Sequence, residues 1–237
     1  MGQTTATLSR MNFPSTRAER AALLSKAQVM LLFTPTLTGA HDAMEVLEAV
    51  LEHVDIVQVR VKSLDGESSA REHRDLTSKV LELVQARNAN HVLVLVNDRV
   101  DVARALFAEG CAGVHIGQDD CPPALARESL GPDALIGLST HNMSQVAHAD
   151  GEIVDYLGFG PIHPTATKGY RKGVGAERCW VAASTAGMPV FPIGGIDAHN
   201  ASELTNIGRA AVSSAILSAE DPAHAAEALR TALELKL

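Results

Sequence analysis

The sequence predicts one (β/α)8 barrel, the TIM-barrel architecture, with a short N-terminal extension. Short runs rich in β-branched and aliphatic residues recur eight times, and each is followed by an Ala/Leu/Glu-rich stretch of helical period. A chain of 237 residues fits one such barrel better than two separate domains. Polar residues also gather where the runs end, at the rim where barrels of this kind carry their chemistry.

The strands are expected at 28–34, 55–61, 92–97, 113–117, 135–140, 155–160, 189–194 and 209–214. The first and third centre on continuous apolar runs, Val29 to Phe33 and Val92 to Val96, as strands covered on both faces require. The helices are expected at 41–53, 68–87, 100–109, 122–129, 142–149, 175–186, 197–206 and 222–235, with no long linker between units. An open doubly wound sheet is the competing architecture, and the first strand lacks the Gly-x-Gly-x-x-Gly turn that would favour it. Residues 1–20, rich in Thr, Ser and Arg, are read as the extension, and 21–237 as the barrel domain.

Composition narrows the function classes. A hydrophobic share of 46% supports a sizeable core, and a formal charge of −8 gives nucleic acid or an anionic membrane no broad basic face. Phosphate binding must then be local, which points to small anionic ligands. The aliphatic run Val29 to Phe33 is far short of the roughly 20 residues needed to span a bilayer. No basic segment introduces it, so the expected location is cytoplasmic. Cys111, Cys121 and Cys179 lack metal-type spacing and read as structural thiols. A homo-oligomer is compatible with this composition.

The strand ends carry the candidate chemistry. In Ile56 to Lys62, alternation puts Val57, Val59 and Val61 on the face towards the helices and Gln58, Arg60 and Lys62 inside the barrel. Buried cations there call for an anion, and a diphosphate would answer them. The plainer alternative is an edge strand with one solvated face. Asn97-Asp98-Arg99 and Gln118-Asp119-Asp120 end the next two strands, so two carboxylates can converge as Mg²⁺ prefers. Taken singly, these aspartates read equally well as helix N-caps, and spacing does not separate Asp119 from Asp120.

The segment from Gly158 to Gly173 is polar and Gly-rich, and reads as an active-site loop in which Thr165 and Thr167 can hold phosphate and Lys168 can neutralise its charge, with a plain surface loop as the alternative. Gly194-Gly195 and Ser213-Ser214 end the last two strands, where barrels often bind phosphate, though close packing explains small residues there too. His115, between Val114 and Ile116, reads as a core histidine and is left outside the site, whereas His141 and His163 lie in loops that could touch substrate.

Five segments in order, Gln58 to Lys62, Asn97 to Arg99, Gly113 to Asp120, Gly160-Pro161 through Lys168, and Ile193 to Ile196, resemble the thiamine-phosphate synthase family from about residue 28 to 220. By this resemblance Gln58, Val59, Arg60, Val61, Lys62, Asn97, Ser139 and Lys168 would bind a pyrimidine diphosphate, with Arg60, Lys62 and Lys168 catalytic. Thr165, Ala166, Thr167, Gly195, Ser213 and Ser214 would hold a thiazole phosphate, and Asp98 and Asp120 would hold Mg²⁺. The implied reaction joins the two small phosphorylated substrates into thiamine phosphate and releases pyrophosphate. Thr34-Pro35, Gly169 to Gly173 and Ser213 depart from the family pattern. Two other readings remain at this stage: a thiazole tautomerase of the same fold, and a non-catalytic barrel that binds thiamine intermediates.

Overall fold

The computed structural model describes residues 13–62, 68–164 and 172–234. Within them the eight expected strands form one parallel sheet: β1 Val29–Phe33, β2 Ile56–Val59, β3 Leu93–Asn97, β4 Gly113–Ile116, β5 Leu135–Thr140, β6 Tyr156–Phe159, β7 Val190–Pro192 and β8 Ala210–Val212. Their order is β7-β6-β5-β4-β3-β2-β1-β8, and a parallel bridge between Ile193 and Ala211 joins the two ends of that order into a barrel.

Side-chain alternation divides the core into two layers, as the period of a strand dictates. Val29, Leu31, Val57, Val59, Val94 and Val96 pack outward with the helices. Met30, Ile56, Leu93, Leu95, Tyr156 and Phe191 fill the barrel itself. The outer helices are α2 Ala43–Val50, α3 Ala70–Ala86, α4 Val100–Ala105, α5 Pro123–Leu130, α6 Met143–Ala147, α7 Ala176–Thr185 and α9 Pro222–Glu234. None of the described helices is long and apolar enough to cross a membrane.

Three elements differ from the expected pattern. The helix expected at 197–206 is a short 3-10 turn, Ala201–Leu204, because Asp197 Oδ1 captures the backbone N–H groups of His199 and Asn200. The last strand ends at Val212 and a four-residue helix, α8 Ser214–Leu217, follows it. An additional helix, α1 Arg17–Lys26, begins with a capping box between Thr16 and Glu19 and crosses the expected boundary at residue 20. Leu24 and Ala27 join the interior core from this segment. Arg20 is 2% exposed, with its guanidinium donating to Asp133 O at 2.6 Å and lying over the Phe107 ring.

The N-terminal ends of the strands are fastened by two equivalent clamps half a barrel apart. Asp55, just before β2, donates its N–H to Val29 O, and its carboxylate accepts the N–H of Val29. Asp155, just before β6, does the same with Ile136. Arg230 of α9 closes the first clamp by donating to His53 O and to Asp55, and Arg127 of α5 closes the second by donating to Ile153 O and to Asp155. Arg17 adds a second cation to Asp155 at 2.6 Å.

Asp155 has only 6% of its side chain exposed, so removing its charge strands two guanidinium groups in a desolvated setting. Asp155→Asn is expected to cost about 3 kcal/mol, a fall in Tm of roughly 6–12 °C for a domain of this size. Asp75→Asn, which breaks only exposed pairs, leaves Tm unchanged. Differential scanning calorimetry of the two variants checks the contrast.

Candidate active site

At the opposite end, the strands open into a cavity. Its apolar wall comes from Met30, Leu32, Phe191 and Ile193, and its polar lining includes Gln58, Arg60, Asn97, His115 and Ser139. Gly195, Ser213 and Ser214 line it on the side of β7 and β8. Seven of the residues given a substrate role by the resemblance, Gln58, Arg60, Asn97, Ser139, Gly195, Ser213 and Ser214, therefore meet at one cavity.

Arg60 follows β2, which is held in register by Arg60 N donating to Phe33 O at 2.9 Å. Its guanidinium is half-buried. Burial lowers its pKa from the usual value, and the negative charge of Asp98 acts in the opposite sense. An arginine does not lose its proton in a protein, so the desolvation makes this cation a strong site for an anion. Lys62 is exposed and stands outside the cavity lining. The Val59 side chain is buried in the outer core, so this residue turns only its backbone towards the strand end. Val61 is half-buried.

Asp98 has φ +63°, an unusual conformation for a residue with a Cβ. The strain, of order 1–3 kcal/mol, is held in place by Asp98 N donating to His115 O at 2.8 Å and by Asn97 Nδ2 donating to Asp98 Oδ2 at 2.5 Å. Asp120 reaches back to the same strand end, with Oδ2 accepting from Gly117 N at 2.7 Å. Asp98 and Asp120 are thus anchored to β4-end residues only two apart. No such bond orients Asp119 among the described residues.

Two exposed carboxylates at a rim suit Mg²⁺, which binds hard oxygens and retains waters. Among the described residues no three His, Cys, Asp or Glu side chains form a metal-type cluster. A cation here would take its remaining ligands from water and from ligand phosphate, as Mg²⁺ commonly does.

On the β7–β8 side, Gly195 has φ +64°, and a Cβ there would lie 2.7 Å from Pro164 O. Asn200 Nδ2 secures the turn by donating to Gly195 O at 2.8 Å. Ser213 Oγ donates to Leu32 O at 2.8 Å, which ties the end of β8 to β1. Thr165, Ala166, Thr167 and Lys168 lie outside the described residues.

Sequence reasoning missed one residue of the cavity lining, His115, and the buried tyrosine behind it, Tyr156. His115 Nδ1 lies 3.0 Å from the Tyr156 phenol and its Nε2 lies 2.9 Å from Ser139 Oγ. Tyr156 is fully buried, and burial raises its pKa far above the usual phenol value. The signal in the sequence is Gly137, which stands in register between His115 and Tyr156. A Cβ at Gly137 would fall 2.1 Å from the Tyr156 ring and 2.5 Å from His115 Nδ1, so the glycine makes room for this pair. Of the loop histidines, His141 lines the cavity, with Nδ1 2.7 Å from Gly160 O, while His163 lies 3.8 Å from Glu203.

Known proteins give this geometry a context. The family model described as thiamine monophosphate synthase matches residues 29–216. A thiamine-phosphate synthase of Synechococcus sp. (strain CC9605) is 41% identical over 92% of this chain and 58% of its own length. One from Azorhizobium caulinodans is 39% identical over 84% of this chain and 91% of its own. The chain spans little more than half the length of the cyanobacterial relatives. Among solved structures, thiamine phosphate pyrophosphorylase from Pyrococcus furiosus is 28% identical with a TM-score of 0.73, covering 91% of this chain and 98% of that one.

The strained backbone at Asp98 makes a prediction independent of any ligand. Asp98→Gly should be more stable than Asp98→Ala by about 1 kcal/mol, because only glycine adopts this φ without a Cβ penalty. Urea unfolding of the two variants measures the difference, and an alanine variant as stable as the glycine one would remove the strain from the account.

Proposed function

We propose that this chain, which belongs to the thiamine monophosphate synthase family, condenses 4-amino-2-methyl-5-hydroxymethylpyrimidine diphosphate with 4-methyl-5-(2-hydroxyethyl)thiazole phosphate, or its carboxylated form. The observation that carries this reading is the desolvated Arg60 guanidinium beside Asp98, at the mouth of a cavity with an apolar wall. A tautomerase acting on the thiazole alone has no need of this arrangement.

In the proposed reaction the C–O bond between the pyrimidine methylene and the diphosphate breaks, and its electron pair leaves with pyrophosphate. The thiazole nitrogen supplies the pair for the new C–N bond. No protein nucleophile is required, so the work of the chain is electrostatic and positional. Arg60 holds the leaving charge within the cavity mouth, and Lys62 adds long-range attraction from the rim. Asp98 and Asp120 would hold Mg²⁺, which would neutralise diphosphate charge when bound. Asn97 lies beside Asp98 and steadies its carboxylate. Met30, Leu32, Phe191 and Ile193 keep water from the cationic methylene, which would otherwise be captured as an alcohol.

The thiazole phosphate is assigned to the β7–β8 side, where Gly195 and Ser214 leave backbone room for phosphate oxygens. Thr165, Ala166, Thr167 and Lys168 belong to the same proposal, with Lys168 adding charge for the diphosphate. The partners are therefore two small phosphorylated substrates, handled in the cytoplasm.

The deciding experiment incubates the pure full chain with both substrates and Mg²⁺ and measures thiamine phosphate and pyrophosphate. Equimolar release of the two is expected, and substrate binding without product would leave a binding protein instead. Arg60→Ala should lower kcat by roughly 10²–10³. Gly195→Val should chiefly raise KM for the thiazole phosphate, through displaced backbone as well as lost space. Asp98→Asn and Asp120→Asn should weaken Mg²⁺ binding in a calorimetric titration with pyrimidine diphosphate present, and Asp119→Asn should do so much less. Equal loss in all three variants would sink the choice between the adjacent aspartates.

A further inference from the structure

The buried groups beneath the cavity form a chain whose hydrogen-bond directions can be followed. Gln58 is 1% exposed, lines the cavity, and has an Oε1 with no hydrogen-bond partner among the described residues. Its Nε2 faces Met30 Sδ at 3.6 Å. A thioether only accepts, so this contact places the amide nitrogen at the sulfur and leaves the oxygen for another group.

The phenol, kept protonated by its burial, then has its own proton for His115 Nδ1 at 3.0 Å. An uncharged imidazole has one lone pair and one N–H. With Nδ1 accepting, the proton sits on Nε2 and is donated to Ser139 Oγ at 2.9 Å. The Ser139 hydroxyl keeps its proton for the cavity, and its backbone is held by Gln118 Nε2 donating to Ser139 O. The room for this chain is built into the sheet, since Gly137 lies in register between His115 and Tyr156 where any Cβ would overlap both.

We infer that His115 and Tyr156 are positioning residues that fix Ser139 as a hydrogen-bond donor and leave Gln58 Oε1 as an acceptor, so that the cavity floor selects an amino-substituted pyrimidine over its oxo counterpart. The inference rests on the proposed function for its ligand. An aminopyrimidine supplies an exocyclic N–H for Gln58 and a ring nitrogen lone pair for Ser139. The oxo ring in its lactam form reverses both, setting a carbonyl against Gln58 Oε1 and an N–H against a hydroxyl whose oxygen already accepts from His115. A mismatched buried pair of this kind is costly because both partners lose water without gaining a bond.

Two measurements on the full chain test this. In the free protein labelled with ¹⁵N-histidine, nitrogen shifts should report the Nε2–H tautomer for His115, assigned by the signals lost in His115→Asn. Tyr156→Phe, which removes one oxygen and keeps the ring, should turn that into a mixture of tautomers. In competition binding with Mg²⁺ present, the wild type should prefer the amino over the oxo pyrimidine diphosphate by about 100-fold or more. Tyr156→Phe should cut that preference at least about tenfold while inorganic pyrophosphate binds as before. A merely structural Tyr156 would weaken all three ligands together. An Nδ1–H tautomer in the wild type, or an unchanged preference in folded Tyr156→Phe, overturns the relay. A wild type that binds neither pyrimidine diphosphate defeats the proposed function and the ligand half of this inference, and the tautomer measurement still decides the relay.

Discussion

Everything at the cavity depends on the barrel being closed and fastened at its other end. A parallel barrel has no edges to spare, and its closure here relies on the short strands β7 and β8 and the bridge between Ile193 and Ala211. The two carboxylate clamps compensate for this. Asp55 with Arg230 ties the final helix to β1 and β2, and Asp155 with Arg127 ties α5 to β5 and β6. Their bonding is equivalent down to the carbonyls of His53 and Ile153, so the barrel behaves as two half-barrels pinned in the same way. Helix α1 adds Leu24 to the interior and Arg17 to the second clamp.

With stability concentrated at that end, the opposite rim can hold groups that are unfavourable for folding. Asp98 keeps a left-handed backbone, Gln58 keeps an unpaired carbonyl oxygen, and Arg60 keeps a charge partly out of water. The last two are local costs that a ligand can relieve, and strain and desolvation together are the usual physical sign of a site. It also shows how a chain of net charge −8 can offer an anion a local site. Attraction is confined to a few cations at one rim, where a low-dielectric wall strengthens them.

The strands were legible in the sequence because continuous aliphatic runs between helical stretches have few other interpretations, and Gln58 and Arg60 were legible because alternation puts them on the inner face. The 3-10 turn at Ala201–Leu204 was not, since side-chain capture of backbone N–H groups by Asp197 competes with a helix that composition alone favours. His115 was passed over because alternation assigns it the inner face without saying whether that face is core or cavity at its level. Only the register with Gly137 and Tyr156 distinguishes the two. Asp119 and Asp120 are likewise equal by spacing, and differ through one bond from Gly117 that no residue pattern encodes.

Strand order constrains how the proposed reaction can run. In the sequence of neighbours β7-β6-β5-β4-β3-β2-β1-β8, the residues of β2, β3 and β4 proposed for the diphosphate lie across the barrel from those of β7 and β8 proposed for the thiazole phosphate. Two phosphorylated molecules anchored on these opposite walls keep their negative charges apart, and each extends its ring towards the barrel axis. In the proposed reaction the rings would meet above His115 and Phe191, with Tyr156 packed beneath them. A cationic methylene can be captured from either face, so in the proposed reaction the placement of the thiazole nitrogen on the β7 side would decide which nucleophile reaches it. Orientation of the pyrimidine about its own axis is the one freedom that anchoring the diphosphate does not remove, and a floor with one fixed donor and one fixed acceptor is suited to removing it.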